Sequence, residues 1–245
     1  MVFHSKSKIS IIVPTYNEER TIKRIIEKLQ NVDLGIEKEI LIINDSSTDN
    51  TGKIIEHLKK KYKNIKSFTH KKNFGKGQAI KTGLKEFTGD IVTIQDADLE
   101  YNPEDFKKLI KPILEKKAKV VYGSRFLSQE YQKLKLFGKQ KTPMPSHYIG
   151  NKFLSLITRI LYKQKITDME TCYKMMTKDI AKSLNLKSNK FDIEPEITTK
   201  IIKNKIKILE LPIEYNARTF KEGKKITWKD GFSAIYALFK YRFFD

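Results

Sequence analysis

Through the first half of the chain, short unbroken apolar runs alternate with segments whose apolar residues recur every three or four positions. KISIIV (8–13), EILIIN (39–44), IVTIQ (91–95) and KVVYG (119–123), with a weaker IKSFT (65–69), predict strands. Ile22, Ile25, Ile26 and Leu29 fall at i, i+3, i+4 and i+7 and predict an amphipathic helix over 18–29. SSTDNT (46–51) carries helix-capping chemistry ahead of Ile54, Ile55, Leu58 and Tyr62. Ala79, Ile80, Leu84 and Phe87 face inward over 75–87, and Pro103 opens a helix through Phe106, Leu109, Ile110, Ile113 and Leu114 that Pro112 kinks. Continuous rather than alternating strands are buried on both faces. Five such βα units therefore predict an α/β fold, a mainly parallel sheet flanked by helices.

The second half is less regular. Residues 127–146 are polar and loop-like, 148–162 has a broad apolar helical face, and TCYKMM (171–176) reads as a strand. A helix over 194–202, a strand over 207–215, a basic loop over 217–226 and a C-terminal amphipathic helix over 229–243 follow. No repeat or linker divides the chain, so one domain over 1–245 is expected, with halves at 1–126 and 127–245.

Charge changes the picture. The chain carries 49 Lys+Arg against 29 Asp+Glu, a formal charge of +20, which points to nucleic acid, anionic lipid surfaces or phosphorylated small molecules. Only six of these are Arg (20, 24, 125, 159, 218, 242), so each Arg is informative as a fork for phosphate, while much of the Lys excess is solvated surface. The basic residues form no aromatic-interleaved motif, so nucleic acid is not expected as a partner. A single cysteine, Cys172, excludes an internal disulfide and any multi-cysteine zinc site, and suits a reducing compartment. There is no signal-peptide pattern and no apolar run of the ~20 residues that span a bilayer, so a cytoplasmic protein is expected.

The unusual residues sit where the predicted strands end: PTYNEE, NDSSTD, NFGKGQ, DADLE and GSR. In parallel α/β sheets ligands bind at those carboxyl ends. The densest signal is IVTIQDADLEYNPED (91–105), an apolar strand ending in five carboxylates, which repel unless a cation sits among them. Asp96 and Asp98 at i and i+2 offer hard oxygens for Mg²⁺ or Mn²⁺ on a diphosphate; the plain alternative is a solvated acidic turn, the reading preferred for Glu104 and Asp105 at the next helix start. NFGKGQAI is not a P-loop and no G-x-G-x-x-G follows the first strand, which argues against an NTPase or a nicotinamide dehydrogenase.

VPTYNEE (13–19), NDSSTD (44–49), NFGKGQA (73–79), QDADL (95–99), YGSRF (122–126), TDMETCYKMM (167–176), FDIEPEI (191–197) and the RTFKEGKKI segment (218–226) form an ordered set. It resembles family-2 glycosyltransferases, in the dolichol-phosphate mannose synthase-like branch. The resemblance implies a Rossmann-like GT-A fold and inverting transfer of a hexose, mannose or glucose, from a GDP- or UDP-sugar. It implies a nucleotide-sugar pocket in 1–126 formed by Pro14, Tyr16, Glu18, Asp45, Lys76, Gln95, Asp96 and Ala97. It places the metal on Asp96 and Asp98, with Glu100 where the branch often has Gln, and phosphate or acceptor contacts on Arg125, Arg218 and Lys225. Ser46 stands where Gly is common.

The acceptor decides the catalytic need. A hydroxyl must lose a proton, whereas a polyprenyl phosphate is already anionic and needs a basic cradle. Asp168, Glu194 and Glu196 are the candidates for a base or positioning carboxylate, Asp168 first because it lies in a family motif. The helices over 148–162 and 229–243 mix aromatic and basic residues, which suits the cytoplasmic face of a membrane; the alternative buries both faces in the core or a homodimer contact. A membrane-protein partner would also keep the chain near a lipid acceptor. Rival functions are transfer to a glycan or other hydroxyl, a basic nucleic-acid-binding protein, and a non-catalytic membrane adaptor. His4, His57, His70 and His147 are expected on surface or loop, and Cys172 as a small buried residue.

Overall fold

Residues 7–127, 145–216, 218 and 228–244 are described by the computed structural model of the chain. The polar stretch expected at 127–146 and the basic loop expected at 217–226 fall largely outside them, as does Lys225.

The first half folds as its apolar pattern predicts. Strands β1 (Lys8–Thr15), β2 (Glu37–Asn44), β3 (Ile65–Thr69) and β4 (Ile91–Ile94) alternate with helices α1 (Ile22–Asn31), α2 (Thr51–Lys61) and α3 (Lys76–Glu86). A short 3₁₀ turn, Pro103–Asp105, leads into α4 (Phe106–Leu114), which keeps Pro112 inside its last turn. β5 (Val120–Ser124) follows. β1 pairs in parallel with β2 and β4, and β2 with β3. Ile9, Ile11, Ile12 and Val13 of β1 and Ile40 to Ile43 of β2 are all fully buried, which is why these runs are continuous rather than alternating. α3 lies close enough on β1 that a Cβ at Gly83 would stand 2.5 Å from Ile12 Cγ2.

The sheet departs from five successive parallel units. Its order is β3-β2-β1-β4-β6-β5-β7 across seven strands. β6 (Lys174–Thr177), part of the strand expected at 171–176, inserts antiparallel between β4 and β5, and β7 (Ile208–Pro212) closes the edge parallel to β5. Both halves of the chain therefore build one sheet. Hydrophobic periodicity reports which faces are buried, not which strand lies beside which. A 3₁₀ turn after β5 (Arg125–Leu127) and helices α5 (Pro145–Tyr162), α6 (Lys178–Ser183), α7 (Ile193–Lys203) and α8 (Trp228–Phe243) complete the described elements. α5 and α8 pack together; Tyr162 Oη donates to the Leu238 carbonyl at 2.7 Å. No helix among the described residues is long and apolar enough to cross a membrane.

At the opposite end of the sheet from the strand carboxyl termini, Glu39 is 3% exposed. It accepts from Ser10 Oγ, from the Thr88 backbone N–H at 2.6 Å and from Thr88 Oγ1 at 2.8 Å, with Lys8 3.3 Å away. Burial pushes its carboxyl up, but these hydrogen bonds and Lys8 outweigh burial and hold it down at about 2. The stabilisation is thus full above the ordinary glutamate range and is lost as pH falls toward that value. Glu39→Gln is expected to remove about 2 kcal/mol near neutral pH. Urea melts between about pH 5 and 2 should show a flatter loss of stability in the variant than in the parent.

Candidate active site

The loops after β1 and β2 interlock. The Asn17 N–H donates to Ser47 Oγ, the Thr48 N–H to Asn17 Oδ1, the Glu18 N–H to Thr51 Oγ1 and the Asn50 N–H to Glu19 Oε2. This sets Pro14, Tyr16 and Glu18 beside the 44–51 loop. Ser46 has φ 61°, the left-handed region, which explains a preference for Gly at this place. Ser46→Gly is expected to raise stability by about 0.5–1 kcal/mol, measurable as a higher melting temperature.

Asp45 is 3% exposed and faces the protein. Its oxygens accept from the Phe74 N–H at 3.0 Å and the Gly75 N–H at 2.7 Å, and His70 Nδ1 lies 2.7 Å away. His70 Nε2 in turn reaches Thr82 Oγ1 at 2.9 Å. Asp45, expected to line the pocket, instead pins the 70–75 loop. His70, expected on surface or loop, lies in that loop and is part of the pin. Gly75 has φ 98°, and a Cβ there would meet the Asn189 carbonyl oxygen at 2.5 Å, so the turn accepts only glycine comfortably.

Below that loop lie the carboxylates of β4's end. Lys76 Nζ stands 2.8 Å from Asp96 Oδ1 and 3.1 Å from Glu194 Oε1. Glu194 also pairs with the fully buried Lys174. Asp98 Oδ2 meets Arg218 Nη2 at 3.0 Å, and its Oδ1 accepts from the Glu100 N–H at 3.1 Å. Leu99 between them has φ 65°, an uncommon backbone for a branched residue and one that turns Asp98 and Glu100 toward the same cation. Glu100 is committed on both oxygens: Tyr215 Oη donates to Oε2 at 2.7 Å and the Arg218 N–H to Oε1 at 2.8 Å. Burial first, then the charges of Glu100 and Asp96, push the Asp98 carboxyl up to about 7 despite Arg218. The cluster is short of positive charge, and Asp96 and Asp98 are the hard oxygen donors that suit a divalent cation. Glu100, expected as a third ligand, is used to anchor Tyr215 and Arg218.

Arg125 is joined to this cluster through one ring. Its guanidinium carbon lies 5.0 Å from the centre of the Tyr215 ring, whose hydroxyl is the one held by Glu100. The guanidinium is fixed from behind by Asp168, with Nε to Oδ2 and Nη2 to Oδ1 both at 2.8 Å, and the Arg125 N–H donates to the same carboxylate. The Thr167 and Asp168 N–H groups are themselves held by Glu210 of β7. Asp168 is fully buried, so it positions Arg125 and has no open oxygen for a proton. Glu196 is remote from this work: it accepts from the Lys187 and Ser188 N–H groups and pairs with Lys200.

The family model for Glycosyl transferase family 2 matches residues 10–184, well over half of the chain and all of the strand-end loops just described except those around Glu194, Tyr215 and Arg218. The chain belongs to glycosyl transferase family 2. It is 31% identical over 248 residues to the UDP-N-acetylglucosamine–dolichyl-phosphate N-acetylglucosaminyltransferase of Methanococcus voltae, with 94% of each chain covered. It is 28% identical over 218 residues to the dolichol-phosphate mannosyltransferase of Pyrococcus furiosus, covering 89% of this chain and 59% of that one. Among solved structures, glucosyl-3-phosphoglycerate synthase from Mycobacterium tuberculosis, in complex with Mn²⁺, UDP and phosphoglyceric acid, superposes with a TM-score of 0.74 at 16% identity, over 98% of this chain and 80% of that chain. The expected GT-A architecture is the one observed.

Within this glycosyltransferase, the sequence and the structure disagree on the reach of several side chains. Gln95 is fully buried: its amide donates to the Asp96 carbonyl at 3.0 Å and its Oε1 accepts from Tyr173 Oη at 2.7 Å, so it shapes the strand end instead of lining a pocket. Ala97 is likewise buried, at 3% exposure. Tyr215 and Lys174 connect the site's charges and were not singled out from sequence. Tyr215 follows a strand with no local signature, and a lysine in a strand reads as surface until its partner, Glu194, is known. Glu104 behaves as a helix-start residue, with Asn102 Oδ1 accepting from its N–H, but Asp105, expected in a solvated turn, is 5% exposed and accepts from the Glu214 N–H at 2.9 Å besides pairing with Lys108 at 2.6 Å. Cys172 is buried as expected.

Proposed function

We propose that the chain transfers a hexose or N-acetylhexosamine, with inversion, from a nucleoside-diphosphate sugar to a polyprenyl phosphate. Pro14, Tyr16 and Glu18 border the nucleotide. Asp96 and Asp98 hold Mg²⁺ or Mn²⁺. When bound, that ion neutralises charge developing on the leaving diphosphate. Arg218 and Arg125 reach phosphate oxygens, with Asp168 fixing the second of these; Lys225 is assigned to the same task by the family resemblance. Tyr215 holds the two arginine sites in register through Glu100.

The observation that favours a phosphate acceptor is the state of the three carboxylates that the sequence offers as bases. Transfer to a hydroxyl needs one within reach to take a proton. Asp168 gives its oxygens to Arg125, Glu194 lies between Lys174 and Lys76, and Glu196 holds backbone N–H groups and Lys200. Each of the three is committed to cations or amides, whereas an anionic phosphate attacks without a base. The relatives from Methanococcus voltae and Pyrococcus furiosus, a dolichyl-phosphate N-acetylglucosaminyltransferase and a dolichol-phosphate mannosyltransferase, point the same way.

α5 and α8 support attachment to a membrane surface. They bury Leu154, Thr158 and Tyr162 on one helix and Ala234, Leu238 and Tyr241 on the other. Their outer faces leave Phe153, Leu156, Ile160, Phe232, Tyr236, Phe239 and Phe243 between 43% and 68% exposed. Arg159, Lys163, Lys240 and Arg242 flank them, the mixture that suits an anionic interface.

The test is a donor panel of GDP-mannose, UDP-glucose and UDP-N-acetylglucosamine with polyprenyl phosphate in vesicles containing anionic lipid and Mn²⁺ or Mg²⁺. The expected product is a solvent-extractable, mild-acid-labile sugar, with protein co-sedimenting with the vesicles. Label recovered only in a water-soluble, acid-stable glycoside would replace the acceptor assignment with a hydroxyl.

A further inference from the structure

The site holds two kinds of arginine. Arg125 presents Nε and Nη2 to the two oxygens of one carboxylate, both at 2.8 Å, the bidentate pairing of a guanidinium fixed in place. Arg218 is divided among three. Nη2 lies 3.0 Å from Asp98 Oδ2, Nη1 3.3 Å from Glu18 Oε2 and Nε 3.7 Å from Glu100 Oε1. Its Nε is buried with no hydrogen-bond partner among the described residues. The backbone beneath is tied down, since the Arg218 N–H donates to Glu100 at 2.8 Å. The main chain is therefore anchored while the side chain makes one good hydrogen bond, one long one and one unsatisfied contact. Lys76 on Asp96 differs again, because Glu194 grips it from the other side.

We infer that Arg218 is an exchangeable counter-cation. It neutralises Asp98 and Glu18 in the protein without substrate, and passes from Asp98 to the diphosphate when cation and nucleotide bind together. A divalent cation arriving alone must displace the guanidinium from Asp98 Oδ2 and leaves it with only the long contacts to Glu18 at 3.3 Å and Glu100 at 3.7 Å, which is costly. A cation arriving with a diphosphate gives the guanidinium new oxygens, so no charge is stranded. Arg218 thus makes cation binding and nucleotide binding depend on each other. The inference rests on the assignment of the cation to Asp96 and Asp98.

Calorimetric titration of Mn²⁺ alone, then of UDP and of GDP at saturating Mn²⁺, into the parent, Arg218→Gln and Asp98→Asn separates the two ideas. Arg218→Gln is expected to bind Mn²⁺ alone about tenfold more tightly and the preferred nucleotide about tenfold more weakly. These opposite signs distinguish the inference from the alternatives: an arginine that only touches phosphate leaves Mn²⁺ affinity unchanged, and one that only supports the fold weakens both. Either of those results overturns it. If Asp98→Asn leaves Mn²⁺ binding intact, the cation assignment itself falls, and the inference with it. If it abolishes binding while Arg218→Gln has no effect, only the inference falls. The parent gives a check that needs no variant to fold: its Mn²⁺ affinity should rise about tenfold when the preferred nucleotide is present, and equal affinities would overturn the coupling.

Discussion

Asp98→Asn is expected to lower sugar transfer by about 10²–10³-fold while leaving the protein folded. The charge on a departing diphosphate develops only as the sugar bond breaks, so a lost contact acts on the rate more than on donor binding. Asp98 supplies an oxygen at the end of β4 on a backbone already turned by Leu99 at φ 65°. Asn keeps the shape and loses the charge. Asp96→Asn should have a comparable effect and also leave Lys76, which stands 2.8 Å from Asp96, paired with Glu194 alone. The measurement is the initial rate at saturating donor, with circular dichroism as the check on folding. Chelation of the parent should give the same loss, reversed by Mn²⁺ or Mg²⁺. Undiminished transfer by an Asp96→Asn/Asp98→Asn double variant would remove the basis of the mechanism.

The second large effect falls on stability and activity together. Asp168→Asn should destabilise the protein by about 3 kcal/mol, because it leaves the buried Arg125 guanidinium without its counter-charge. Transfer should fall as well, since the bidentate pair at 2.8 Å is what aims Arg125. The paired replacement Arg125→Met with Asp168→Leu tells the two effects apart. It removes both charges and should recover part of the lost stability, short of the acceptor lost by the Arg125 backbone N–H, without recovering transfer. Denaturant midpoints and initial rates on the three proteins provide the comparison. If the double replacement transfers sugar at the rate of the parent, Arg125 has no part in the reaction.

Much of this was legible in the chain. The βα alternation, the position of each strand end and the pairing of Asp96 with Asp98 come from local spacing. The oddity of Ser46 comes from the family resemblance alone, and the structure supplies its reason, a left-handed turn that favours Gly. The ordered set of motifs adds the family. Local spacing failed where a side chain's task depends on a distant partner. Gln95 and Asp45 look like pocket residues, and became internal supports once Tyr173 and His70 were seen beside them. Lys174 looks like a surface lysine and is fully buried against Glu194.

The sequence by itself determined which segments are buried on both faces and which loops share one end of the sheet, because periodicity and turn chemistry act over a few residues. Only the tertiary structure decided that β6 slips antiparallel between β4 and β5, and that Tyr215 and Arg218 reach back to Glu100 from 115 and 118 positions away. Such contacts follow from strand order and the close packing of side chains, which no local pattern encodes.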